Sequence, residues 1–271
     1  MAILSIQSSV AYGHVGNSVA VPALQSLGFE AWRVDTVAFS NHPAHPTMRG
    51  RVVPAAEVAA LLEGIAELGV LGRCAAVLTG YVGEAGTAAA MAAAIDRARA
   101  ANPAALYACD PVIGDNGRAY VRAGVTEAIR ETLVPRADIL TPNLFELEQL
   151  AGHPATSPDA IAAAVAGLAG HSLRRLVAVT GIPGPLAGGA DGELVTLLFR
   201  AGRCWRAARP RRGLRASGTG DLFAALFLGH YLRACDPAAA LAAAQAGLDR
   251  VIEATLAAGA DELVLRGSLL P

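Results

Sequence analysis

The chain has 271 residues, a formal net charge of −1 and 54% hydrophobic residues. That length buries a full core, the near-neutral charge gives no nucleic-acid footprint, and no apolar run approaches the ~20 residues of a membrane span. All 22 basic residues are arginine, which excludes both a Walker P-loop, with its Gly-Lys-Ser/Thr, and any enzyme that holds a cofactor as a lysine Schiff base.

Short β-like runs alternate with longer alanine-rich segments. This pattern predicts a three-layer α-β-α fold, a mainly parallel central sheet with helices on both faces. The opening Met1-Ala2-Ile3-Leu4-Ser5-Ile6 has no basic residue before Arg33, so it reads as a buried strand of a cytoplasmic protein rather than a signal peptide. Strands are predicted near Ile3–Gln7, Ala31–Val37, Ala75–Leu78, Leu106–Cys109, Ile139–Leu140 and Leu176–Val179. Helices are predicted near Gly16–Leu27, Ala55–Leu68, Ala85–Ala100, Thr126–Leu133, Phe145–Leu150 and Asp159–Ala169. Two β-like segments, Glu193–Phe199 and Arg203–Arg206, flank Ala201-Gly202 and predict an antiparallel hairpin. Helices over Leu222–Leu232 and Pro237–Leu256 close the chain. With no linker or charge block, residues 1–271 read as one domain. Cys74, Cys109, Cys204 and Cys235 have no metal or redox spacing and read as reduced, buried small residues.

In such a sheet, ligands gather at the carboxyl ends of the strands. The first strand leads into Ser8 and then Tyr12-Gly13-His14-Val15-Gly16-Asn17, a glycine turn that lacks the spacing of a dinucleotide fingerprint. Phe39-Ser40-Asn41-His42 follows the second strand, and Thr79-Gly80-Tyr81 ends the third. The fourth ends in Asp110-Pro111-Val112 and the fifth in Thr141-Pro142-Asn143-Leu144-Phe145-Glu146. Asn143 and Glu146 are one helical turn apart, so both side chains project to one side and could hold water on a Mg²⁺ ion; a plain helix start with an acidic first turn would look the same. In Ser217-Gly218-Thr219-Gly220-Asp221, the glycines let backbone N–H groups converge at a helix start, a setting for phosphate. Asp221 would be a general base there, against the alternative of a helix cap. Asp110, Glu146 and Asp221 follow separate strands and would meet on one sheet edge.

Together, Asp110-Pro111-Val112, the Thr141 to Glu146 segment and the Ser217 to Asp221 segment resemble the ribokinase-like superfamily of small-molecule kinases. The N-terminal segments Ile6-Gln7-Ser8, Tyr12 to Asn17, Phe39 to His42 and Thr79-Gly80-Tyr81 are similar to pyridoxal kinases in order and spacing. The resemblance implies ATP-dependent phosphorylation of the 5′-hydroxymethyl group of pyridoxal, and also of pyridoxine and pyridoxamine, in a homodimeric cytoplasmic enzyme that binds neither nucleic acid nor membrane. It implies that Ser8, Tyr81 and His42 line the substrate pocket with Asp221. Asp110, Thr141, Glu146, Thr180, Arg209 and Pro210 would bind ATP. Asp110, Glu146 and Asn143 would organise Mg²⁺, partly through water, with a monovalent cation left open. Gly218, Thr219 and Gly220 would form the anion hole beside Asp221, and Tyr120 would serve as a lid. Two alternatives remain: a kinase of the same fold acting on hydroxymethylpyrimidine, a sugar or a nucleoside, and a non-catalytic vitamin B6 carrier or sensor.

Overall fold

Successive residues of the inner strands face opposite ways, and both faces are apolar. Ile3, Leu78, Ala108, Ile139 and Leu176 point into one core, whereas Leu4, Val77, Tyr107, Leu140 and Val177 point into the other. Strands buried on both sides read as continuous hydrophobic runs and require a layer of helices on each face. The computed structural model, which describes residues 1–170 and 174–269, has that architecture.

In chain order the elements are β1 (Ala2–Val10), α1 (Asn17–Ser26), β2 (Glu30–Phe39), β3 (Gly50–Val52), α2 (Ala55–Glu67), β4 (Cys74–Thr79), α3 (Thr87–Ala101) and β5 (Leu106–Cys109). A two-stranded ribbon, β6 (Gly114–Asp115) and β7 (Arg118–Ala119), is followed by α4 (Val125–Ala128), β8 (Ile139–Leu140), α5 (Leu144–Ala151) and α6 (Pro158–Ala169). The chain continues through β9 (Leu176–Pro183), β10 (Glu193–Arg200), β11 (Arg203–Pro210), α7 (Thr219–Ala234) and α8 (Pro237–Ala257).

The large sheet has the order β3-β2-β1-β4-β5-β8-β9-β10-β11. Strands β2 to β9 in this order are mutually parallel. Strand β3 on one edge and the β10–β11 hairpin on the other run antiparallel. Helices α2, α3, α5 and α6 contribute to one core, and α1, α7 and α8 to the other. The chain winds outward from β1 through β2 and β3, then returns to β4 on the opposite side of β1. The order therefore reverses between β1 and β4, and the crevice at their carboxyl ends is where this class of sheet binds ligands.

The predicted strands, the hairpin and the helical layers are all present. Strand β3 is absent from the sequence reading because this three-residue edge strand is mostly exposed and has no buried apolar run to mark it. Helix α7 begins at Thr219, three residues before the apolar run at Leu222, which brings Asp221 into its first turn. The helix expected over Thr126–Leu133 is regular only to Ala128 and widens over Ile129–Leu133. Cys74 and Cys109 are buried as expected, but Cys204 and Cys235 are exposed. Cys204 lies on the edge strand β11, and Cys235 ends α7 in a left-handed conformation with φ of 53°.

Candidate active site

The Tyr12–Gly16 turn after β1 runs against two segments that approach too closely for side chains. Gly16 has φ of 52°, and a Cβ there would overlap the Ser8 hydroxyl and carbonyl. Gly218 has φ of 92°, and a Cβ there would overlap the His14 carbonyl. Both positions thus need glycine for conformation and for space. Gly218 precedes α7, so the unpaired N–H groups of the first helical turn open beside the β1–α1 turn, with the positive end of the helix dipole. Asp221 lies in that turn, and the Gly16 N–H faces its carboxylate.

The register of the parallel strands brings the other carboxylates to this edge. Asp110 follows β5, its N–H bonded to the Thr79 carbonyl, and Thr141 follows β8, its N–H bonded to the Cys109 carbonyl. The buried Thr141 hydroxyl donates to Asp110 Oδ1 at 2.7 Å. Glu146 is buried, and its carboxylate accepts backbone N–H groups from Ile113 at 3.0 Å and Asn143 at 2.9 Å, with a longer one from Gly114 at 3.4 Å. Asn143 caps α5: its Oδ1 accepts the Glu146 N–H at 2.9 Å, and its Nδ2 donates to the Gly114 carbonyl at 2.8 Å. The reciprocal capping box engages the Asn143 oxygen and backbone N–H, and the bond to Gly114 takes up its NH₂ group. Only the second lone pair of Oδ1 is left for a water on a metal.

The three carboxylates make an electrostatically strained cluster. Burial, then the charge of Asp221, pushes the Asp110 carboxyl up to about 8, while the Thr141 hydroxyl pulls it back. Burial raises Asp221 to about 6 against the lowering effect of the Gly16 N–H and its own N–H. Glu146 is held well above the usual carboxylate range by burial and by Asp110, despite its three N–H partners. Tyr120, after the β6–β7 ribbon, is 51% exposed as a residue, but desolvation of its hydroxyl raises the phenol, followed by the charges of Glu146, Asp221, Asp110 and Asp115. Oxygen donors whose ionised forms repel one another are what a divalent cation neutralises in place of protons, so Asp110 and Glu146 could hold Mg²⁺, partly through water.

The remaining predicted residues are distributed around this cluster. Ser8 is buried at the end of β1 beside Gly16. Tyr81 is half-buried after β4, its carbonyl accepting the Thr36 hydroxyl at 2.6 Å. Thr180 on β9 bridges to Asn143, and its N–H donates to the Pro142 carbonyl. Arg209 and Pro210 end β11 at the same edge of the sheet, because both Arg209 and Pro183 pair with Leu194. There, Arg209 lies near Asp249 of α8, and burial lowers its guanidinium pKa. His42 is buried, and both its ring nitrogens are engaged: Nε2 with Glu262 at 2.8 Å and Nδ1 with the Ala44 N–H at 3.3 Å. Only its ring face is left for a ligand. The structure therefore gathers Asp110, Thr141, Asn143, Glu146 and Asp221 with Ser8 nearby, while Arg209 and His42 are turned toward other protein partners. Sequence reasoning missed Glu262 and His45, which bond to each other at 2.6 Å; Glu262 lies far along the chain in a segment without a motif.

The family model for phosphomethylpyrimidine kinase matches residues 48–265. Pyridoxal kinase PdxY of Rubrobacter xylanophilus is 47% identical over 97% of this chain and 90% of its own length. The chain belongs to the pyridoxal kinase family. The PdxY enzyme of Granulibacter bethesdensis is 45% identical, with 97% of this chain and 93% of that protein covered. Among solved structures, pyridoxal kinase from Leishmania donovani in complex with ADP and ginkgotoxin superposes with a TM-score of 0.88 at 31% identity, covering 98% of this chain and 93% of that one. The fold is therefore ribokinase-like, and the carboxylate cluster lies within a kinase.

The raised carboxyls make a stability prediction for the ligand-free kinase. A carboxyl whose folded-state pKa lies above its unfolded value binds its proton more tightly when folded. Stability is then fully present below the unfolded value of 3.8 and is lost as pH rises toward about 8 for Asp110. Asp110→Asn keeps an oxygen to accept from Thr141 and removes the repulsion. It should stabilise the metal-free protein at pH 8 by at least about 1.4 kcal/mol, the equivalent of one pKa unit, and have almost no effect near pH 4. Thermal melts across that range check this; an equal effect at both pH values would show that Asp110 is not the strained group.

Proposed function

We propose that this kinase transfers the γ-phosphate of ATP to the 5′-hydroxymethyl group of pyridoxal, and also of pyridoxine and pyridoxamine, making pyridoxal 5′-phosphate in vitamin B6 salvage. The observation that carries this reading is the apposition of two segments: the β1–α1 turn that packs on Ser8 also presents the Gly16 N–H to Asp221. The family match over residues 48–265 leaves out Ser8, the Tyr12–Gly16 turn and His42. The relatives matched over 97% of this chain include the Tyr12–Gly16 turn and His42, and they are named pyridoxal kinases. This favours pyridoxal over hydroxymethylpyrimidine or a sugar as the acceptor.

In this reading Ser8 hydrogen-bonds the polar edge of the pyridine ring, Tyr81 lines the ring pocket and His42 offers its ring face. Asp221 takes the 5′-hydroxyl proton as that oxygen attacks phosphorus, and its raised pKa brings it nearer the operating pH, as suits a base. The N–H groups of Gly218, Thr219 and Gly220 stabilise charge on the phosphoryl group in transit. Asp110 and Glu146 hold the metal side of the ATP phosphates, with Asn143 and Thr141 keeping them in place; Mg²⁺, when bound, neutralises phosphate and carboxylate charge together. Thr180, Arg209 and Pro210 contact the nucleotide, and Tyr120 closes over the phosphates. The same reading includes action as a homodimer in the cytoplasm, with residues 1–271 as one catalytic domain. Among the described residues, no helix is long and apolar enough to cross a membrane.

Formation of ADP with pyridoxal, hydroxymethylpyrimidine or ribose as acceptor, each with MgATP, tests the substrate. Pyridoxal should support by far the greatest kcat/KM, preference for another acceptor would displace it, and binding of pyridoxal without turnover would make the protein a carrier. Asp221→Asn keeps the shape and one accepting oxygen, and should lower kcat by ~10²–10⁴ with both substrates still bound. A near-normal kcat would remove Asp221 as the base. Ser8→Ala should weaken pyridoxal binding by ~0.5–1.5 kcal/mol, the contribution of a neutral hydrogen bond, and leave ATP binding unchanged. Equal losses for both substrates, seen by calorimetry, would place Ser8 outside the ring pocket.

A further inference from the structure

Outside the carboxylate cluster, His42, His45 and Glu262 bring three polar side chains to within 4.8 Å of one another. His42 Nε2 lies 2.8 Å and His45 Nε2 2.6 Å from the same oxygen, Glu262 Oε1. The other oxygen, Oε2, accepts the backbone N–H of His14 at 3.3 Å. Glu262 also fills the space beside Gly13, where a Cβ would overlap its carboxylate. The side chains of His42 and Glu262 are only 8% and 11% exposed.

Two imidazoles and a carboxylate are also a familiar donor set for zinc. The tautomer decides between the two. The Ala44 N–H can only donate, so His42 Nδ1 accepts, and the ring proton is on Nε2, pointing at Glu262. The lone pair a metal would need at Nε2 is already occupied by that proton. The cluster is a hydrogen-bonded triad centred on one acceptor.

The segment carrying Glu262 is itself anchored. Leu263 is buried in the α1, α7 and α8 core, and the Val264 N–H donates to the Thr255 hydroxyl of α8 at 2.9 Å. From this fixed base Glu262 holds the loop after β2 through two histidines and the β1–α1 turn through the His14 N–H. The His14 carbonyl in turn packs on Gly218, at the start of the helix that carries Asp221.

We propose that Glu262 is a positioning residue: it fastens the His42–His45 loop and the β1–α1 turn in the arrangement that closes the acceptor-alcohol pocket, and so sets affinity for that substrate without touching it. This rests on the reading of Ser8, His42 and Asp221 as the substrate side of the site. Its effect should fall on the acceptor and spare the nucleotide, whose residues follow other strands.

Steady-state kinetics of the enzyme with Glu262→Ala, Glu262→Gln, His45→Ala and the double variant Glu262→Ala/His45→Ala test it. Glu262→Ala should raise KM for the acceptor about tenfold or more, because two donors lose a buried charged partner, and leave KM for ATP within about twofold. Glu262→Gln keeps one accepting oxygen for the histidines and should recover part of the loss. The double variant should be little worse than Glu262→Ala alone, the non-additivity expected of groups that act as a unit. A fall in melting temperature with both KM values unchanged, equal rises in both, or simple additivity would overturn the proposal. So would a stoichiometric Zn²⁺ site in the wild-type protein that Glu262→Gln abolishes. Wild-type turnover with pyridoxal decides the substrate reading separately; if another alcohol is the better acceptor, the same KM comparison is made with that alcohol.

Discussion

The passage of the Tyr12–Gly16 turn between other segments is the constraint on which the site depends. At Gly13 it meets Glu262, at Gly16 it meets Ser8, and its His14 carbonyl meets Gly218, in each case with no room for a Cβ. The contacts at Gly16 and Gly218 are with backbone carbonyls, which no change of rotamer can move. The spacing between the end of β1 and the start of α7 is therefore fixed by chain thickness, whereas the segment after α8 meets the turn through the Glu262 carboxylate. In-line phosphoryl transfer benefits from such rigidity, because a displacement of about an ångström between nucleophile and phosphorus can cost ~10²-fold in rate.

Around that rigid turn the protein gathers carboxyl groups that no cationic side chain is paired with. Burial dominates the raised pKa values of Asp110, Glu146 and Asp221, and the interactions that lower them are hydrogen bonds from Thr141 and from backbone N–H groups, with no arginine among them. An arginine paired with these carboxylates would stabilise the ligand-free site and compete with a metal for the same oxygens. Hydroxyl and amide donors hold the carboxylates in place without satisfying their charge, which leaves the affinity for a cation intact. The cost is a less stable ligand-free protein near neutral pH, the usual tension between a functional site and the fold that carries it.

Much of this was legible in the sequence. Doubly buried strands read as apolar runs, the hairpin announced itself at Ala201-Gly202, and Asp110, Glu146 and Asp221 could be placed on one edge from topology alone. What escaped had physical reasons. Strands β3, β6 and β7 are short and mostly exposed, without the buried apolar pair that marks the equally short β8. Cys204 and Cys235 are exposed because one lies on an edge strand and the other at a helix end, positions that a residue's average burial does not reveal. The partners of His42 were hidden because Glu262 is 220 residues away, in a stretch without motif or periodicity. Long-range polar contacts of this kind are set by how the layers pack, which no local pattern encodes.

Asn143 and Glu146 show why a structural and a functional reading of the same residues need not compete. From sequence they fit either a helix cap or a metal-water site, and the geometry makes the cap real. Yet the cap is also what aims the Glu146 carboxylate: the N–H groups of Ile113, Gly114 and Asn143 fix both of its oxygens beside Asp110. A glutamine there would turn one accepting oxygen into an NH₂ group facing a backbone N–H, disturbing the loop after β5 along with the charge. Asp110 differs, since a side-chain hydroxyl is its partner on Oδ1 and an amide oxygen can still accept from it. Charge and support are thus separable at Asp110 and inseparable at Glu146, and the same α5 cap that ends the loop defines the phosphate side of the site.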